Sequence, residues 1–258
     1  MKIGFFDSGL GGLTILKAVA TELPEYDYEY YGDTANLPYG DKTEEEIFIL
    51  TKQGIEHLFK KECLLVIVAC NTASAETLRK LQTEYLPHTH PDKKVLGVII
   101  PTIEELLEES VTHTILIGTN RTIESKKYES EIKKHKEELK VTAIKTPELV
   151  PLIEGRQYED ALCVVSKIID ERKGEQGIIL GCTHYTILKE KLEEKYTGSD
   201  FKIFSQDLII PSKLKKYLEN HPEIETKLSK NYRRNIYLTD NSNQYDELIE
   251  TILNGHLI

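Results

Sequence analysis

The run "LLVIVACNTAS" (residues 64–74) decides the fold. An unbroken apolar stretch of strand length has no polar face to turn toward water, so it reads as a parallel strand covered on both sides by helices. Upstream, "TEEEIFILTKQGIEHLFKK" (43–61) opens with a threonine cap and an acidic first turn and closes in lysines, as the helix dipole prefers. Downstream, a helix is expected near Ser74. The segment is therefore one βα unit. A second run in the other half of the chain, "GIILGCTHYT" (177–186), ends in the same way, with a cysteine followed by hydroxyl and polar residues.

The rest of the chain repeats that rhythm. "KIGFF" (2–6) reads as a strand, "DSGLGG" (7–12) as a tight turn and "LTILKAVATEL" (13–23) as a helix ending before Pro24. "YEYYGD" (28–33) is another strand, followed by a loop through Pro38, Tyr39 and Gly40. After a surface crossing at "PHTHPDKK" (87–94) the pattern restarts. "VLGVII" (95–100) leads into "PTIEELLEES", "THTILIGT" (112–119) into "ESKKYESEIKKHKEELK" (124–140), and "VTAIKT" (141–146) into one long helix from about Val150 to Lys173. "GIILGC" precedes a helix after Thr186. Beyond it stand the strands "FKIFS" (201–205) and "RRNIYLTDN" (233–241) and helices near "PSKLKKYLE" (211–219) and "NQYDELIETIL" (243–253). The expected fold class is α/β, with two similar, largely parallel sheets flanked by helices.

Composition narrows the function. The 258 residues carry a net charge of -10, which provides no basic face for a phosphate backbone and argues against nucleic acid as a partner. No apolar run is long enough to span a bilayer, and "MKIGFFDSGLGG" reaches glycine and aspartate too soon for a signal peptide, so a cytoplasmic protein without membrane association is expected. None of the four cysteines stands in a CxxC or histidine-rich arrangement, and neither a disulfide framework nor a metal site is expected. "HTHPD" (88–92) is read as surface loop. The charge-rich "KKYESEIKKHKEELK" (126–140) is read as a solvated helix face.

Cys70 and Cys182 each fall at the carboxyl end of a buried parallel strand, where α/β proteins place their ligand crevices. Cys63 and Cys163 read as small core hydrophobes. The polar neighbours Asn71, Thr72, Thr183 and His184 set the other two apart, because a core strand favours apolar residues there. A thiol with an ordinary pKa of about 8.5, lowered toward about 7 by amides or a base, exchanges protons near neutral pH. Two thiols facing across a cleft can take a proton from one side of a carbon and return one from the other, inverting a stereocentre. The loop "DSGLGG" is neither a Walker A loop nor G-x-G-x-x-G, since Thr14 stands at the third glycine position. Its Gly9, Gly11 and Gly12 let backbone approach a small ligand, with Asp7 and Ser8 entering the crevice. Asp7 reads equally as a turn former or helix cap.

Together, "FFDSGLGGLTIL", "YYGDTANLPYG", "VIVACNTASA", "GVIIPT", "LIGTNRTIES", "VPLIEG" and "LGCTHYTIL", in this order, resemble the glutamate racemase group of the aspartate/glutamate racemase family. The resemblance implies two pseudo-symmetric domains, residues 1–96 with 208–258 and residues 97–207, with the active site in the cleft between them. It implies a two-base racemisation of L- and D-glutamate without a cofactor, supplying D-glutamate for peptidoglycan, by a homodimer. By similarity, Cys70 serves the D-glutamate face and Cys182 the L-glutamate face, assisted by Asp7 and His184, respectively. Ser8, Tyr39, Gly40, Asn71, Thr72, Thr119, Thr122 and Thr183 would join Asp7 and His184 in holding substrate. Glu154 matches a family carboxylate near the site and reads equally as a solvated acid in the first turn of a helix. Tyr39 and Gly40 also read as turn residues after Pro38. The family block usually has proline where this chain has Thr186, a change expected to free the following helix without touching the thiol. The alternatives are an aspartate or broad-specificity racemase, a binding module without catalysis, and a two-cysteine redox protein.

Overall fold

The computed structural model describes residues 1–240 and Ile249. Among the described residues nine strands form two sheets: β1 (Lys2–Asp7), β2 (Tyr28–Gly32), β3 (Cys63–Val68), β4 (Lys94–Gly97), β5 (His113–Gly118), β6 (Lys140–Lys145), β7 (Gly177–Gly181), β8 (Lys202–Phe204) and β9 (Arg234–Leu238). The first sheet runs β4-β3-β1-β2-β9 and the second β6-β5-β7-β8. Every pairing is parallel. The expected α/β architecture with two sheets is thus present.

Side chains alternate between the two covered faces, as strand geometry requires. In the first lobe Phe5 and Ile67 join Ile15, Leu16 and Leu214 on one face, under the helices Gly12–Glu22 and Gln206–Asn220. Phe6, Val66 and Val68 join Ile47, Ile55 and Leu58 on the other, under the helix Glu44–Lys60. In the second lobe Ile117 and Leu180 meet Leu149 and Val165, whereas Leu116 and Ile179 meet Ile103, Tyr128 and Ile132. The Glu44–Lys60 helix is fixed at its start by a reciprocal cap. The Thr43 hydroxyl accepts from the Glu46 amide at 3.3 Å, and the Thr43 amide donates to the Glu46 carboxylate at 2.8 Å.

Several boundaries differ from the sequence reading. The helix after Cys70 begins at Asn71 rather than near Ser74, because the Cys70 sulfur itself caps it. "VLGVII" does not restart a sheet: β4 pairs with β3 and ends at Gly97, and a helix already begins at Ile99. The expected helix over 124–140 is instead two, Asn120–Glu124 and Lys127–His135, separated at Lys126, whose φ of 51° is left-handed. The long helix over 150–173 breaks likewise into Leu149–Glu154 and Tyr158–Asp170 at Gly155 and Arg156 (φ 58°). Thr183–Leu188 forms a 3₁₀ turn before the helix Lys189–Lys195. Cys163 is exposed on the Tyr158–Asp170 helix and is no core hydrophobe, whereas Cys63 is buried in β3. The helix expected over 243–253 lies outside the described residues, apart from Ile249. No helix among the described residues is long and apolar enough to cross a membrane.

Candidate active site

Two inner strands lie side by side in each sheet at matching places, β1 and β3 in one and β5 and β7 in the other. Their carboxyl ends carry the candidate residues: Asp7 and Ser8 after β1, Cys70 after β3, Thr119 after β5, Cys182 after β7. These ends face one another across the two lobes. The Thr183 hydroxyl donates to Asp7 Oδ1 at 3.3 Å. Thr72 Oγ1 lies 2.9 Å from Thr119 Oγ1 and 3.2 Å from Thr122 Oγ1. A side chain on Gly11 would stand 2.5 Å from the Thr183 hydroxyl and 2.7 Å from the His184 backbone nitrogen. The loop "DSGLGG" therefore does not bare its backbone to a ligand at Gly11, as the sequence suggested. It makes room for the turn that follows Cys182. At Gly12 a side chain would meet the Asp7 Cβ at 2.8 Å, so this glycine admits the Asp7 side chain.

Cys70 is 5 % exposed, with its sulfur 3.3 Å from the Ser8 hydroxyl and accepting from the Ala73 amide at 3.4 Å. Burial pushes the thiol up to about 12, the reverse of the lowering that the sequence suggested, and the neighbouring Asp7 adds to that push, while the Ser8 and Ala73 donors work against it. Cys182 adds to the upward push as well, the least of these influences. Asp7 accepts from the amides of Gly9 and Gly12, both at 3.1 Å. Its carboxyl is held above the ordinary range by complete burial, opposed by His184, those two amides and Thr183.

Cys182 has a different neighbour. His184 Nδ1 stands 3.8 Å from its sulfur, and His184 Nε2 stands 3.1 Å from Glu154 Oε1. Burial disfavours the charged imidazole, yet the sulfur on one side and the carboxylate on the other hold it well above its ordinary range. Glu154 ends the helix Leu149–Glu154, so it is not in a first turn, and its position at the helix end brings it to His184.

Of the remaining candidates, Gly40 packs against Thr119, where a side chain would come within 3.0 Å of the Thr119 Cβ. Tyr39 is buried, but its hydroxyl donates to Asp33 Oδ2 at 2.6 Å and not to another candidate. Asn71 accepts from the Tyr128 hydroxyl at 2.7 Å. Tyr30, read only as part of the strand "YEYYGD", donates to the Gly9 carbonyl at 2.8 Å and lies 3.5 Å from Asp7 Oδ2. Thr186 reaches across the lobes: its hydroxyl is 2.8 Å from that of Thr14 and donates to the Thr183 carbonyl at 2.8 Å. Nothing in the local sequence signals either contact. Among the described residues no group of three or more His, Cys, Asp or Glu side chains is arranged to hold a metal ion.

This geometry combines two buried sulfurs, each with its own titratable neighbour, and a ring of hydroxyl and amide groups between two lobes. A family model described as Asp/Glu/Hydantoin racemase matches residues 14–204. The chain is 38 % identical over 239 residues to glutamate racemase of Ruegeria pomeroyi, covering 87 % of each. It is 38 % identical over 237 residues to that of Roseobacter denitrificans, covering 86 % of this chain and 87 % of the relative. Among solved structures, the Francisella tularensis glutamate racemase in complex with D-glutamate superposes with a TM-score of 0.83 at 30 % identity, covering 98 % of this chain and 93 % of that one. The Aquifex pyrophilus glutamate racemase superposes with a TM-score of 0.78 at 32 % identity, covering 98 % and 95 %.

Proposed function

The chain belongs to the Asp/Glu/Hydantoin racemase family, and from that premise we propose that Cys70 and Cys182 work on opposite faces of one α-carbon. It is an isomerase that interconverts L- and D-glutamate. The observation that carries the mechanism is the pair of buried sulfurs at equivalent strand ends of two sheets, ends that meet through the Thr183–Asp7 and Thr72–Thr119 contacts.

In the L-to-D direction the Cα–H bond breaks as an S–H bond forms at Cys182. The electron pair left on carbon delocalises into the adjacent carboxylate. A Cys70 S–H then breaks as the new C–H bond forms on the opposite face, and the negative charge ends on Cys70. The sulfur that takes the proton must start as a thiolate and the other as a thiol. Resetting the pair needs proton exchange, for which His184 serves Cys182 and Asp7 serves Cys70. Ser8, Gly40, Asn71, Thr72, Thr119, Thr122 and Thr183 supply the short polar groups and space that hold the substrate's carboxylates and amino group. Tyr39 shapes the wall through Asp33. Removing water from the site strengthens each of these contacts.

We read residues 1–96 with 208–258 as one domain and 97–207 as the other; the division of β1–β4 and β9 from β5–β8 supports this. The family resemblance supports a cytoplasmic homodimer that supplies D-glutamate to peptidoglycan. The test is circular dichroism of D-glutamate incubated with purified protein and no added cofactor. The signal decays to zero with wild type and persists with Cys70→Ser or Cys182→Ser. Wild-type-like decay with either variant refutes the two-sulfur mechanism.

A further inference from the structure

Asn71, the residue after Cys70, sits in a small buried network that no catalytic step above uses. Its Oδ1 accepts from the Tyr128 hydroxyl at 2.7 Å and from Gln206 Nε2 at 3.4 Å, and Gln206 Nε2 also donates to the Tyr128 hydroxyl at 3.3 Å. Asn71 is 2 % exposed, and Tyr128 and Gln206 are completely buried. The three come from separate helices: Asn71–Lys80, Lys127–His135 and Gln206–Asn220. Two polar atoms of this network, Asn71 Nδ2 and Gln206 Oε1, are buried without a hydrogen-bond partner among the described residues.

A side-chain amide has an accepting and a donating end, and a half-turn exchanges them. Two donors converging on one oxygen fix which end is which. With Oδ1 committed to Tyr128 and Gln206, Nδ2 is left as a buried double donor beside Cys70, and a buried donor without an acceptor is a poor ending for a folded chain. A carboxylate oxygen satisfies it.

We propose that Tyr128 and Gln206 are positioning residues: they lock the Asn71 amide so that Nδ2 presents an N–H group to a substrate carboxylate next to Cys70. The proposal rests on the racemase reading above, since that reading puts a carboxylate there. It also assigns a role to Tyr128, which stands within a charge-rich segment that looks like a solvated surface.

The experiment measures KM and kcat for L- and D-glutamate, with thermal midpoints, in the full chain. Tyr128→Phe keeps the buried ring and removes the donor, and Gln206→Met keeps the shape and removes the amide. Losing the lock removes binding shared by ground and transition states, so each variant raises KM about tenfold and moves kcat less than about threefold. In an Asn71→Ala background, Tyr128→Phe then adds less than about twofold, because the amide it orients is gone. A lowered thermal midpoint with KM unchanged in Tyr128→Phe, or in Gln206→Met should the first variant fail to fold, overturns the proposal and leaves the network as scaffold. So does a full, multiplicative KM effect in the Asn71→Ala background. A wild-type chain inert toward glutamate breaks the racemase reading itself and is distinguished by that control.

Discussion

Cys70 and Cys182 end equivalent central strands of two sheets, yet their surroundings differ in sign. Cys70 lies beside the carboxyl of Asp7 and accepts from the Ala73 amide. Cys182 lies beside the imidazole of His184, itself backed by Glu154. The backbone symmetry puts one sulfur at the end of an equivalent strand in each sheet, and inversion at a carbon by two groups needs one from each side. The asymmetry of the neighbours means that the two need not hand protons on in the same way. L- and D-glutamate have equal free energies, so kcat/KM must be equal in the two directions for every variant. Differences between the sulfurs therefore surface in pH profiles and in the separate values of kcat and KM.

The most disruptive way to break the comparison is to move one half against the other. In Gly11→Ala the new methyl would occupy space now held by Thr183 and the His184 nitrogen, pushing the Cys182 turn away from Cys70. A displacement near 1 Å costs about a hundredfold in rate, and kcat/KM for D-glutamate should fall by at least that. A thermal midpoint lowered without loss of kcat/KM would show that the turn relaxes harmlessly.

Next in size is the loss of the proposed proton carrier beside Cys182. His184→Asn should lower kcat/KM about a hundredfold or more, the ordinary contribution of a positioned acid or base. It should also abolish the alkaline limb of the pH profile, because the wild-type imidazolium is held above its ordinary range. Asp7→Asn should leave that limb in place. Equal profiles in the two variants would contradict the assigned partners.

A smaller effect concerns stability. Burial holds Cys70 up to about 12, whereas an unfolded thiol ionises from about 8.5. Because the folded value is the higher one, stability is intact below the unfolded value and falls as pH rises between the two. Cys63 is pushed up to about 12 as well, again chiefly by burial. In urea unfolding at pH 8 and pH 10, Cys70→Ser should remove part of this loss and leave the part due to Cys63. His184 has a raised folded value too; its contribution is complete below about 6.5 and fades as pH climbs through the folded value.

The smallest effect expected is at Thr186, where Thr186→Pro exchanges two hydrogen bonds for a ring. Losing the bond to Thr14 costs about 1 kcal/mol of stability, and kcat/KM should change less than about threefold. A larger kinetic loss would make the Thr14–Thr186 bridge part of the device that aligns the lobes.

The legible parts of the molecule were those written in contiguous residues. β3 and β7 follow from unbroken apolar runs, and Cys70 and Cys182 stand out because polar residues follow them directly. The illegible parts depend on distant segments meeting. Gly11 is glycine because Thr183 and the His184 nitrogen approach it, which no window of sequence contains. Tyr30 reads only as a strand residue until its hydroxyl meets Gly9 and Asp7. Tyr128 is surrounded in sequence by lysines and glutamates, yet it points inward to Asn71. The breaks at Lys126 and Arg156 fall where helical periodicity continues, so only the left-handed backbone reveals them.

The most direct test of opposed sulfurs is racemisation in D₂O, with mass spectrometry of each enantiomer at the earliest turnovers. Two groups on opposite faces predict a product carrying deuterium at the α-carbon while recovered substrate remains unlabelled. A product that retains the substrate's own α-hydrogen would mean one group serves both faces, and would contradict the account.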